Sequence, residues 1–127
     1  MKKSAFINKN NFYIFLLFFI SFLINNHYAN LGTLPVDTFL HFDLSFKILK
    51  GMVPFSDIWM VSGLVINYIQ ALFFYILGIN WSSYVLHASI FNCVITLSTY
   101  FLLKDFKINT NYCFIYSIFF AVLAYPS

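Results

Sequence analysis

Arginine and glutamate are missing from this 127-residue chain. Seven lysines and four aspartates carry all of its formal charge, a net of +3, and charged residues make up only 9% of the sequence. An ordinary soluble domain is roughly one-quarter charged, because water has to be met over its whole outside. No cluster of lysines follows a stripe of the kind that binds nucleic acid, so no nucleic-acid partner is expected. Glycine and proline are scarce, at four and three residues, and neither a linker nor an internal repeat is visible. The two cysteines, Cys93 and Cys113, sit inside apolar runs and read as small buried hydrophobes rather than as a disulfide framework or metal site. CxxC, HExxH, GxGxxG and GxxxxGK[ST] are all absent, which removes the common soluble routes to metal and nucleotide chemistry.

What remains is 61% hydrophobic, with a mean hydropathy of +0.82. The pattern predicts an all-α membrane protein with about four transmembrane helices, over about 11–30, 58–78, 81–103 and 112–126. The first apolar run could also be a signal peptide, but no Ala-x-Ala-like site follows it, so a retained helix is expected. Gly78, Ile79 and Asn80 make a tight connection between the second and third runs. The chain reads as one transmembrane domain over 1–127, as expected of the N-terminal part of a longer polytopic protein. Lys2, Lys3 and Lys9 before the first run favour a cytoplasmic N-terminus. Alternation through four spans then puts Lys104 and Lys107 outside, against the same bias.

The loop 31–57 holds Asp37, Asp43 and Asp57, together with His41, Lys47 and Lys50. Its segment 40–48 alternates apolar and polar residues, which is a strand pattern. A lone strand at a membrane surface has no partner for its backbone groups, however, whereas a helix satisfies them internally. Asp37 as N-cap and Gly51 as the left-handed stop favour an amphipathic juxtamembrane helix, with Asp43 and Lys47 paired at i, i+4. Its Phe39, Phe42, Phe46 and Leu49 face is expected to point towards lipid or the helix bundle.

Each candidate has a functional and a structural reading. Asp37 is either a general base or a helix cap. Asp57 either helps hold an acceptor or a metal, or marks where a helix leaves lipid. His41 and Lys50 are candidates for contacting a phosphate, and both also suit an ordinary interfacial loop. Asn67 with Gln70, and Asn92 with Thr96, read as hydrogen-bonding glue between helices, while His87 is an ionisable group inside a span.

Asp37, the run Ile48-Leu49-Lys50-Gly51-Met52-Val53-Pro54-Phe55-Ser56-Asp57-Ile58-Trp59, Gly63, and Phe73-Phe74-Tyr75-Ile76-Leu77-Gly78 together resemble the N-terminal region of the GT-C class glycosyltransferases. These polytopic enzymes are related to dolichyl-phosphate-mannose protein mannosyltransferases and to bacterial lipid A aminoarabinose transferases. Gly51-x-x-Pro54-aromatic-x-Asp57 is the most specific part. The resemblance implies transfer of a sugar from a polyprenyl-phosphate donor to an extracytoplasmic acceptor. Membrane lipids would be the other partner, in a bacterial cytoplasmic (inner) membrane, with Asp37 as the essential catalytic carboxylate. It implies no cofactor, and a divalent metal is not indicated. The chain departs from the family pattern at Thr38, where a second acid is common, and at Leu64, where proline often follows glycine. The alternatives are a small non-enzymatic polytopic membrane protein or subunit, and a transporter fragment.

Overall fold

The computed structural model describes residues 9–31, 35–60 and 63–123. Five helices follow in order: α1 (Lys9–Ala29), α2 (Pro35–Leu49), α3 (Leu64–Leu77), α4 (Trp81–Asp105) and α5 (Thr110–Leu123). Lys2 and Lys3, the end of the fourth apolar run, and positions 32–34 and 61–62 lie outside the described residues. The chain divides into two units. One contains α1 as far as Asn25, α4 from Ser89 onward, and α5; the other runs from Asn26 to Ala88.

In the first unit α1 and α4 run antiparallel, joined by side-chain hydrogen bonds along their length. Asn10 Oδ1 accepts from the Tyr100 hydroxyl at 2.8 Å and from the Lys104 ammonium. Ser21 and Thr96 share a hydroxyl bond at 3.1 Å, and Asn25 Nδ2 donates to Ser89 Oγ at 3.0 Å. The inward positions of α1 are Leu17, Ser21 and Asn25, and those of α5 are Cys113, Ser117 and Ala121, each set at four-residue spacing. Small side chains at that spacing let helix backbones approach closely, as in packed membrane helices. Phe12, Phe15, Phe18, Phe19 and Leu23 of α1 face outward instead. Leu17, Tyr100 and Cys113 form the core, and the Tyr13 ring stacks on Phe114 at 4.3 Å.

In the second unit α2 packs against α3, and Phe42 seats its ring 4.7 Å from Phe74. The alternation over 40–48 gives way to a helix, as the backbone argument requires. Thr38, Leu44 and Ser45 of α2 are enclosed, while Phe39 is 56% exposed. Gly51, at φ +87°, ends α2 with two backbone bonds, Met52 N–H to Lys47 O at 3.2 Å and Gly51 N–H to Ile48 O at 2.9 Å. That paired closure is the Schellman motif. Lys107, at φ 58°, ends α4 in the same way through Ile108 N–H to Leu103 O and its own N–H to Lys104 O. Asn80 caps α4, its Oδ1 accepting the Ser83 N–H at 2.8 Å.

Of the four expected spans, two coincide with helices of spanning length. The second apolar run becomes helical only at Leu64, because 53–58 form a turn and Ile58 and Met60 fold back to pack with Leu44 of α2. The resulting α3 has 14 residues. At 1.5 Å per residue that is about 21 Å, short of the roughly 30 Å apolar layer of a bilayer. α1 and α4, with 21 and 25 residues, are long and apolar enough to cross a membrane. In four successive alternating spans the first and third apolar helices would run the same way, whereas α1 and α4 run opposite ways.

The two left-handed stops make opposite predictions. Space around a Cβ at Gly51 is open, so Gly51→Ala should lose about 1–2 kcal/mol from backbone strain alone. Lys107→Gly should gain about 0.5–1 kcal/mol by relieving the same strain at the end of α4. Reversible unfolding in mixed detergent micelles would measure both; equal signs for the two substitutions would contradict this account of the stops.

Candidate functional site

The three acids of the first loop have different surroundings. Asp43 pairs with Lys47 at 2.7 Å, both side chains well exposed, and such pairs contribute little stability. Asp57 is held in its own turn: Oδ2 accepts the Val53 N–H at 2.8 Å and Oδ1 accepts the Ser56 hydroxyl at 3.2 Å. The Asp57 N–H returns to Val53 O at 2.9 Å, and this closed ring supports Phe55 at φ 65°. Asp57 therefore clamps the Gly51-x-x-Pro54-aromatic-x-Asp57 turn, a local job that its spacing alone did not reveal.

Asp37 is exposed in the first turn of α2. It is not the N-cap, because the helix begins two residues earlier, at Pro35, whose fixed φ suits a first helical position. A carboxylate there still complements the helix dipole. Among the described residues, no ion pair or side-chain hydrogen bond engages it.

His41 lies one turn further along α2 and is half-buried. Asn67 Nδ2 donates to the Gly63 carbonyl at 3.1 Å, so its Oδ1 faces His41 Nδ1 at 3.0 Å as the acceptor. His41 therefore carries its proton on Nδ1 and uses it to tie α2 to α3. Thr38 and Ser45 on α2 and Asn67 and Gln70 on α3 are also buried, and Ser45 Oγ bonds back to His41 O at 2.7 Å. The Gln70 amide is enclosed, with no hydrogen-bond partner among the described residues. His87 is buried in the same unit, its ring 5.3 Å from that of Phe73.

Lys50 follows the last residue of α2, its ammonium 5.5 Å from the centre of the Phe46 ring. Counting along the helix puts it about 20 Å from Asp37. Asp37 and His41 therefore share one region of α2, whereas Lys50 lies just past its other end. Among the described residues no three His, Cys, Asp or Glu side chains form a metal-holding group. No family model, curated protein or solved structure matches the chain.

The expected glue residues Asn92 and Thr96 do bond to α1, through the Ser21 carbonyl at 3.4 Å and the Ser21 hydroxyl. Neither Ser21, the partner of both, nor Asn25, which bonds to Ser89, is marked out by a sequence motif. The available signal was the spacing of Leu17, Ser21 and Asn25 on a helix otherwise dominated by phenylalanine.

If the His41–Asn67 bond holds α2 to α3, a double-mutant cycle with His41→Ala and Asn67→Ala should show a coupling of about 0.5–1.5 kcal/mol. Unfolding free energies of the four variants in one detergent would test it, and strictly additive losses would remove the bond from the account.

Proposed function

We propose that this chain is an integral membrane protein acting as the N-terminal portion of a glycosyltransferase. It would transfer a sugar from a polyprenyl-phosphate donor to an extracytoplasmic acceptor, with its N-terminus in the cytoplasm of a bacterial inner membrane. The membrane part is supported by the distribution of side chains. Ser21, Asn25, Asn67, Gln70, Asn92 and Thr96 are enclosed while large aliphatic and aromatic side chains face outward, the reverse of what water selects.

The enzymatic part rests on one observation: of the three acids in the first loop, only Asp37 has no structural partner among the described residues. In the proposed reaction the Asp37 carboxylate accepts the proton of an acceptor hydroxyl. The hydroxyl oxygen bonds to the anomeric carbon, and the bond from that carbon to the lipid phosphate breaks, leaving polyprenyl phosphate. The distance of Lys50 from Asp37 along α2 and the local clamp held by Asp57 favour the rival reading of a non-enzymatic polytopic subunit.

Sugar transfer from a radiolabelled polyprenyl-phosphate donor, measured in native membranes that contain the protein, separates the two. Asp37→Asn should reduce the rate about 100-fold to 10,000-fold, as loss of a general base does. Asp43→Asn, which breaks only the exposed pair with Lys47, should leave it nearly unchanged. Transfer that survives Asp37→Asn, or membranes that show no dependence on the protein at all, would support the subunit reading.

A further inference from the structure

The chain leaves the first unit at Asn25 and rejoins it at Ser89, and these two side chains are hydrogen-bonded at 3.0 Å. If α1 and α4 cross the bilayer, residues 26–88 begin and end on the same side of it. They therefore cross it either twice or not at all. Two crossings would have to be made by α2 and α3, of 15 and 14 residues. Each is about 21–23 Å long, against an apolar thickness near 30 Å. A crossing α2 would also draw Asp37, Asp43 and Lys47 through the hydrocarbon, where ionised side chains are costly.

α3 nevertheless carries a face made for lipid. Asn67, Gln70, Ala71 and Phe74 are its buried residues, and the outward side presents Val65, Leu72, Tyr75 and Ile76. The turn before it adds Phe55 and Trp59, and Trp59 is 82% exposed. Water would disfavour so large an apolar surface, and Trp and Tyr concentrate where acyl chains meet headgroups. The occupant of this face is argued from continuity: α3 passes through 78–80 directly into α4, a helix long and apolar enough to span.

We propose that the α2–α3 pair is a single-leaflet element that does not cross the membrane. The outward face of α3 and the Phe55–Trp59 turn lie among acyl chains close to the headgroups of one leaflet, and α2 lies at the aqueous boundary. The proposal rests on the membrane reading and is independent of the enzymatic one. It also removes the conflict in charge: Lys9, Lys104 and Lys107 then share the end where α1 starts and α4 stops, as the positive-inside bias prefers. Asp37, if it is a catalytic base, meets the headgroup region where a lipid-linked phosphate would sit.

Two measurements on the full chain in intact vesicles test this. Single cysteines at Ser56, Ser82 and Asn109, in a Cys93→Ala, Cys113→Ala background, are labelled with an impermeant maleimide before and after permeabilisation. The expected result is that Ser56 and Ser82 report one side and Asn109 the other. Ser56 reporting with Asn109 would overturn the proposal in favour of two crossings. Reaction of all three from one side would instead remove the spanning reading on which it rests. In Trp81→Phe protein the remaining Trp59 should be quenched several-fold more by lipids brominated near the headgroup than by aqueous acrylamide. Quenching by acrylamide alone would overturn the embedded turn.

Discussion

The polar side chains on the inward face of α1 take their hydrogen-bond partners from α4, and the apolar surface outside them offers almost none. That constraint explains the pairing of α1 with α4. A phenylalanine-rich helix has no reason to prefer one neighbour over another through hydrophobicity alone, since lipid tails are as apolar as its side chains. Ser21, Asn25 and Asn10 supply the preference, because their partners Thr96, Ser89, Tyr100 and Lys104 occur in matching antiparallel order on α4. Each such bond contributes roughly 0.6 kcal/mol on average in a membrane protein, so register comes from the set and not from any one bond. The small residues Cys113, Ser117 and Ala121 then let α5 close against the same core.

The same constraint orders the second unit. The His41–Asn67 bond and the enclosed Thr38, Ser45 and Gln70 make the inner side of α2 and α3 more polar than the outer side of α3. The Gln70 amide is enclosed on the same side, with no partner among the described residues. Because His41 is one turn from Asp37 on α2, the bond that fixes α2 on α3 also fixes where the free carboxylate stands. The link from packing to function in the glycosyltransferase reading runs through that turn of helix.

The helices themselves were legible from sequence, since composition, charge-free runs and the glycine at Gly51 act locally. Between the expected Asp37 cap and the Gly51 stop, backbone satisfaction outweighs the alternating pattern, and a helix, Pro35–Leu49, is the form the segment takes. What sequence did not disclose depended on partners distant in the chain. Asp57 looked like the start of a span because its clamp on Val53 requires a left-handed Phe55 that no pattern announces. Asp37 looked like a cap because the helix start was placed by the acid, when it is set by Pro35. His41 looked like a free surface histidine because Asn67, its partner, lies in the next helix. The direction of α4 relative to α1 was hidden for the same reason: hydropathy counts apolar runs but does not say which of them is long enough to cross once its first residues fold back as a turn.

The antiparallel polar seam between α1 and α4 is the claim on which the topology, the side assigned to 26–88 and the setting of Asp37 all depend. Disulfide cross-linking in native membranes tests it directly, with paired cysteines introduced into protein whose Cys93 and Cys113 are replaced by alanine. The account predicts rapid oxidative cross-linking for Ser21→Cys with Thr96→Cys and for Asn25→Cys with Ser89→Cys, and none for Asn10→Cys with Ser89→Cys. Cross-linking of Asn10 to Ser89, with silence at the other two pairs, would mean that the helices run parallel and would contradict the account.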